Sequence, residues 1–185
     1  MKYPVTVYGD ALLRKKAQKI DKDYEELNEV IENMWETMYS SDGVGLAAPQ
    51  IGKSIRLFIV DASSGADEEP ELADFKKVFI NPEIIETFGE KWLMNEGCLS
   101  LPEIREDVSR PDGVRIRYFD ENFTEHEEEF TGYAGRIIQH EYDHLEGILF
   151  IDYLSPLKKR LLKSKLSNIA HGKVQPHYRI KVPVK

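Results

Sequence analysis

Apolar residues recur at steps of three and four along Leu27, Val30, Ile31, Met34 and Met38, which predicts an amphipathic helix over Asp23 to Tyr39. Ser40-Ser41-Asp42-Gly43 supplies its stop. Ahead of it, Asp10 to Ala17 suits a short helical turn capped by Asp10. The unbroken apolar run Ile55 to Val60 predicts a short buried strand. Val78–Ile80, Glu83–Phe88, Val114–Phe119 and Glu127–Phe130 read as extended, with Asp120-Glu121-Asn122 turning the chain between the last two into a hairpin. Between Ser63 and Asp74 the chain is polar and acidic and carries Gly65 and Pro70, so a surface loop is expected. Thr131 suits the cap of a further helix and Gly147 lies just past its end. A last helix is expected from Pro156 to about Ala170, with Leu157, Leu161, Leu162, Leu166 and Ile169 as one apolar stripe. In the tail, Tyr178 to Val182 suits an extended segment with no evident place in the fold. Helix, strands, then two helices predict an α+β fold, taken as one catalytic domain over 1–185, with about 171–185 as a tail.

Composition narrows the classes. A chain of 185 residues with 41% hydrophobic positions can bury one core, but no apolar run approaches the roughly 20 residues needed to span a bilayer. The first residues show no apolar core of a signal peptide, so a cytoplasmic location without a membrane partner is expected. A net charge of -8 argues against a broad nucleic-acid face and against recognition of a specific nucleic-acid sequence. The charge is uneven: Glu125 and Glu127–Glu129 form an acidic stretch, and Lys158, Lys159, Arg160, Lys163 and Lys165 a basic one.

The sharpest chemical signal is His140-Glu141-Tyr142-Asp143-His144. Four residues apart, the two histidines share one helix face and can hold one metal, with Glu141 beside the first of them able to reach a metal-activated water. Two histidines on a helix are also compatible with ordinary surface or core positions. A catalytic site needs a third protein ligand and an open position. Glu146 is too near His144, and His171 and His177 lie beyond another helix. Upstream, Glu96-Gly97-Cys98-Leu99-Ser100 contains the single cysteine, whose thiolate suits zinc or ferrous iron. Spacing does not show that it approaches the helix, and a lone cysteine also suits a small buried core position. Gly43-Val44-Gly45-Leu46-Ala47-Ala48-Pro49-Gln50-Ile51-Gly52 has too many glycines and prolines for a regular helix or a long central strand.

Three of these segments, in order, resemble the motifs of the peptide deformylases: Gly43 to Gln50, Glu96 to Ser100, and His140 to His144, with Leu145-Glu146-Gly147 following as in the family. The resemblance runs from about Leu12 to Leu166. It implies mostly antiparallel strands around a central metal-binding helix, with a C-terminal helix. It implies that Cys98, His140 and His144 bind one divalent metal per chain, ferrous iron first, with zinc, nickel or cobalt as alternatives. Glu141 is then the general base and acid, and the Gln50 side chain and the Leu99 backbone N–H face the formyl oxygen. The substrate class implied is the N-formyl-methionyl nascent peptide, lying extended beside the first motif. Val44, Gly45 and Ile137 are expected at the substrate, with Arg105 near its backbone or carboxylate. Arg110 is expected to support Asp143, and Glu96 to orient the site through a partner the sequence does not name. Tyr133 and Arg136 are left outside the pocket, where some relatives carry aliphatic residues.

The basic last helix suggests docking on the ribosome, with ribosomal RNA as the negative partner; an ordinary helix packed by its leucines is the plainer account. Two other readings of the whole remain. A zinc peptidase would show its third ligand downstream, and a non-catalytic relative would be expected to lack Glu141 or Gln50, both of which are present.

Overall fold

The computed structural model describes residues 1–183. Its elements are β1 (Val5–Thr6), α1 (Leu27–Ser40), β2 (Gly45–Ala47), β3 (Leu57–Asp61), β4 (Lys76–Gly97), β5 (Arg105–Phe119), β6 (Glu125–Phe130), α2 (Gly132–Leu145), α3 (Pro156–Ala170) and β7 (Ile180–Lys181), with short 3-10 turns between them. β2 to β6 form one antiparallel sheet in chain order, and β1 pairs with β7 in a separate parallel ribbon. The expected α+β class holds, with a mainly antiparallel sheet and a C-terminal helix.

β3 explains why the central run is apolar throughout. Successive side chains of a strand point to opposite faces. Leu57 and Ile59 pack under α1 with Val30, Met34 and Met38, whereas Phe58 and Val60 pack under α2 with Ile137 and Ile138. The same alternation sends Val78 and Ile80 of β4 toward α1 and Phe79 toward α2. The sheet is therefore a middle layer with a helix on each face, and every position of its centre must be apolar. A third cluster joins α3 and the tail to the loop after β4 through Leu162, Leu166, Ile169, Leu101 and Ile104.

Several boundaries differ from the sequence reading. α1 starts at Leu27 because Glu26 is left-handed (φ 61°) and the residues before it form turns. The turn after Asp10 is a 3-10 helix over Ala11–Arg14, and the Asp10 carboxylate accepts from Leu12 N at 2.9 Å. β4 and β5 run far beyond their apolar stretches as a two-stranded arm, mostly exposed along β4 from Glu83 to Asn95 but burying Glu96, Val108 and Arg110 toward its end. Bulges near Glu83, Glu86 and Lys91 absorb Pro82 and the left-handed Gly89. The stripe on α3 divides: Leu162, Leu166 and Ile169 are buried, while Leu157 and Leu161 are 68% and 73% exposed. Part of the tail does extend, as β7.

Thr131 precedes α2 as expected, but its side chain makes no capping bond. The cap comes from the acidic loop instead. Glu69 Oε1 accepts from Tyr133 N at 2.9 Å, and Asp112 Oδ1 accepts from Gly132 N at 3.3 Å. Carboxylates at a helix N-terminus satisfy its free N–H groups and its dipole.

At the other end of α2, Gly147 has φ +73°, and a Cβ there would lie 2.6 Å from the carbonyl oxygen of Arg14. Backbone cannot yield as a flexible side chain can. Gly147→Ala is expected to lower stability by about 2–3 kcal/mol, read as a shift of the urea midpoint at unchanged slope. A midpoint equal to the parent's would show that the turn is not fixed as described.

Candidate metal centre

α2 carries His140 and His144 one turn apart on the face toward the loop between β4 and β5, with ring centroids 5.2 Å apart. Cys98 sits in that loop, its Sγ 3.3 Å from His144 Nε2. One donor atom from each of Cys98, His140 and His144 lies within 4.8 Å of the others, which is the spread of ligands around a single ion. The fold thus brings the cysteine to the helix, which the spacing in the sequence left open.

The tautomers suit ligation. His140 Nδ1 lies 2.9 Å from Glu96 Oε2, so in the neutral ring the proton belongs on Nδ1 and the Nε2 lone pair is free. His144 Nδ1 is buried with no partner among the described residues, which leaves its Nε2 as the atom facing Cys98. A thiolate and two imidazoles form a donor set suited to a zinc or ferrous ion.

Glu96 is the unnamed partner that the sequence could not supply. Buried at the end of β4, it accepts from Arg110 Nε at 2.7 Å and Arg110 Nη2 at 3.1 Å on β5, from Arg136 Nη1 at 3.3 Å on α2, and holds His140. Arg110 also donates to Asp143 Oδ2 at 2.7 Å, as expected, and Tyr153 Oη donates to the same oxygen at 2.9 Å. Burial alone would raise the Glu96 carboxyl, but hydrogen bonds from His140 and Arg110 outweigh it and hold it at about 2. Burial pushes Asp143 up despite its Arg110 partner. For His140, burial opposes protonation, yet hydrogen bonds to Cys98 and Glu96 carry the metal-free imidazole well above its usual value.

Glu141 is buried beside the histidines, and its Oε2 has no partner among the described residues. Burial pushes its carboxyl up to about 7 in the metal-free chain, with the charges of Glu96 and Asp143 adding to this and those of His140 and Arg110 opposing it. Its side chain lies against Gly45: a Cβ on Gly45 would meet Glu141 Oε1 at 2.5 Å and Cδ at 2.8 Å. The Gln50 amide is oriented by its neighbours. Oε1 accepts from Ala47 N at 2.9 Å, and Nε2 lies 3.2 Å from Ser100 Oγ and 3.5 Å from Cys98 Sγ. Because Ala47 N can only donate, the amide nitrogen must face Cys98. Leu99 N makes no hydrogen bond among the described residues, and its carbonyl accepts from Tyr178 Oη at 2.9 Å.

These groups border a cleft of about 390 Å³. Val44, Gly45, Ile137 and Arg105 all line it, as does Leu99. Arg105 is exposed and bonded to Asn95, through Nε to Oδ1 at 2.8 Å and through Nη2 to the carbonyl at 2.9 Å. Tyr133 and Arg136, which the sequence reading left out, also line the cleft. Arg136 is 2% exposed, donates to Trp92 O at 2.6 Å and Val108 O at 3.1 Å, and lies 4.3 Å from the centre of the Trp92 ring. Its signal was a charge one turn before His140 on the same helix face. Tyr178, also at the cleft, had no local signal.

The polypeptide deformylase family model matches residues 2–160. A peptide deformylase of Christiangramia forsetii is 55% identical, covering 97% of this chain and 95% of its own. Among solved structures, a peptide deformylase from Thermotoga maritima is 44% identical, covering 84% of this chain and 99% of its own at a TM-score of 0.75. One from Legionella pneumophila is 34% identical, covering 94% and 98% at a TM-score of 0.82.

Because Glu96 is depressed in the folded state, its contribution to stability is complete above the unfolded value of 4.5 and is lost as pH falls toward about 2. In the metal-free chain this loss is expected to be on the order of 3 kcal/mol. Glu96→Gln should be less stable at neutral pH and lack that acid-limb decrement. Urea unfolding at a series of pH values compares the two, and parallel acid limbs would remove Glu96 as their source.

Proposed function

The chain belongs to the polypeptide deformylase family, a family of metal-dependent hydrolases, and from that premise we propose that it removes the formyl group from the N-terminal formyl-methionine of nascent polypeptides, releasing formate. The observation that carries the assignment of roles is the convergence of Cys98, His140 and His144 beside a buried Glu141 carboxylate whose Oε2 has no partner among the described residues.

Cys98, His140 and His144 would hold one divalent ion, ferrous iron by preference, with zinc, nickel or cobalt as alternatives. Such an ion supplies Lewis acidity, making water acidic enough to yield hydroxide near neutral pH. Glu141 takes the proton of the attacking water and delivers it to the departing amine. A carboxylate on the helix turn that carries both histidines is placed for both transfers, and its burial excludes competing water. Gln50 Nε2 and Leu99 N–H donate to the oxygen that gains negative charge as the formyl carbon becomes tetrahedral. The orientation imposed on Gln50 by Ala47 N supports this, since the donor end faces Cys98 without any rearrangement.

β2 is an edge strand bordering the cleft, which supports an extended peptide adding beside Val44 and Gly45. Ile137, buried at the cleft wall, suits an apolar side chain, and Arg105 at the rim suits a substrate carbonyl or carboxylate. Residues 1–185 would act as one catalytic domain. Among the described residues no helix is long and apolar enough to cross a membrane, and a cytoplasmic setting is the one in which formylated chains emerge from ribosomes. Exposed Leu157 and Leu161 lie among Lys159, Arg160, Lys163 and Lys165, while Lys158 is tied to Glu106 at 3.0 Å. That surface supports docking of α3 on ribosomal RNA.

Formate release from a formyl-Met-Ala-Ser peptide, by protein purified without oxygen and with its metal quantified, tests the activity. Fast release by the parent with one metal per chain and near-complete loss in Glu141→Ala is expected. No release from folded, fully metallated parent would discard the reading. Gly45→Ala should fold but lose activity by about 10²-fold or more, because the new methyl displaces the Glu141 carboxylate; full activity would mean that the carboxylate need not sit there. Co-sedimentation with ribosomes at low salt should be abolished when Lys159, Arg160, Lys163 and Lys165 are changed to glutamate, and sedimentation unaffected by those changes would sink the docking idea.

A further inference from the structure

We propose that the C-terminal segment is part of the catalytic centre, with Tyr178 as a positioning residue that fixes the Cys98–Leu99 loop from outside. The inference rests on the deformylase reading above for the role of Leu99 N–H.

The register of the tail is set by the parallel ribbon of β1 and β7. Val5 N donates to Arg179 O at 2.8 Å, and Val7 N to Lys181 O at 3.2 Å. Val174 and Ile180 pack into the third apolar cluster, where Cys98 also packs. Held on both sides in this way, Tyr178 lies at the cleft, with His177 beside it. His177 Nε2 lies 3.2 Å from Asp42 Oδ2, and the Tyr178 hydroxyl donates to Leu99 O at 2.9 Å. Asp42, Leu99 and Tyr178 all border the cleft. The His177 contact is exposed and contributes little energy. The Tyr178 bond is partly buried and is the one that reaches the reacting centre. Burial pushes the phenol up, so it remains an O–H donor at neutral pH.

The loop's other hydrogen bonds do not engage the backbone polar groups of Leu99, whose side chain packs with the cluster under α1. Leu101 N bonds Cys98 O at 2.9 Å, and Tyr8 N bonds Ser100 O at 2.9 Å. Gln50 Nε2 reaches Ser100 Oγ at 3.2 Å. Neither polar group of the Leu99 backbone is held by these bonds. Fixing the Leu99 carbonyl restrains the adjoining peptide planes, and with them the direction of the Leu99 N–H and of the Cys98 side chain. A donor that points at developing charge must be fixed in advance to lower the barrier. The family model ends at residue 160, so this contact comes from outside the matched region.

Tyr178→Phe in the full chain keeps the ring and removes only the hydroxyl. With equal metal content, kcat for formate release is expected to fall about fivefold, the worth of one neutral hydrogen bond, while KM stays within about twofold, since the tether acts on the donor and not on substrate binding. In the metal-free protein, alkylation of Cys98 by iodoacetamide should accelerate several-fold as the loop loosens. Unchanged kcat at equal metal content, or a rise in KM alone, would overturn the proposal, the second by making Tyr178 a substrate contact. Should the parent release no formate, it is the deformylase reading that fails. The alkylation rate then still decides the tether, and an unchanged rate in Tyr178→Phe sinks it.

Discussion

A single buried carboxylate, Glu96, ties the metal centre to the rest of the protein. It ends β4, and its partners come from β5 through Arg110 and from α2 through Arg136 and His140. A charge taken from water is tolerated only when paired and fully hydrogen-bonded. Here the compensation is distributed: Glu96 and Asp143 carry two negative charges, Arg110 and Arg136 two positive ones, and His140 Nδ1 completes the set at 2.9 Å from Glu96. This cluster contributes less as net stability than as geometry. Removing one charged member leaves the buried set with an uncompensated net charge, so the packing of the three elements is coupled to the arrangement that aims His140.

The sheet supplies the second constraint. Gly45 shares a face of β2 with Ala47, the face packed under α2, and it is the absence of a side chain at Gly45 that admits the Glu141 carboxylate. One residue further, Leu46 points toward α1. A shift of one residue in the pairing of Gly45 with Val60 would turn an apolar side chain onto Glu141 and expose the glycine to α1. The apolar alternation that builds the core therefore also sets the space around the Glu141 carboxylate.

What could be read from the sequence was whatever depends on local periodicity. The spacing of His140 and His144 placed them on one helix face, Pro156 to Ala170 emerged as a helix with those ends, and Ile55 to Val60 as a buried strand close to β3. The outer halves of β4 and β5 escaped notice because their inward positions are mostly charged, Glu96 and Arg110 being buried at the site and Val108 joining an apolar cluster, so no sustained apolar alternation marks them. Glu69 as the cap of α2 escaped because the carboxylate comes from a loop more than sixty residues earlier in the chain. The exposed pair Leu157 and Leu161 was merged into the buried stripe, since spacing alone does not say which of two adjacent helix faces meets the core. The candidate metal ligands were nameable from motifs, whereas the approach of Cys98 to the histidines and the identity of Glu96's partners required the tertiary fold.

The adjacency of Cys98 and Leu99 has a mechanical meaning. In the proposed roles, a thiolate that positions an ion and an N–H that meets the developing oxyanion must keep a fixed separation, because both act on one reacting group. Placing both on consecutive residues makes covalent geometry set most of that distance. The remaining freedom is rotation about the backbone, and it is opposed from three directions: Tyr8 at the Ser100 carbonyl, Gln50 at the Ser100 hydroxyl, and Tyr178 at the Leu99 carbonyl. Gln50 is itself a proposed donor to the same oxygen, so its bond to Ser100 couples the two donors. A displacement of the loop would move ligand and donors together, which preserves their mutual geometry while changing their relation to Glu141 on α2. The precision of the site then depends on how the loop is held against α2, and that is the contact in which Glu96, through His140, and the tail, through Tyr178, act from opposite ends.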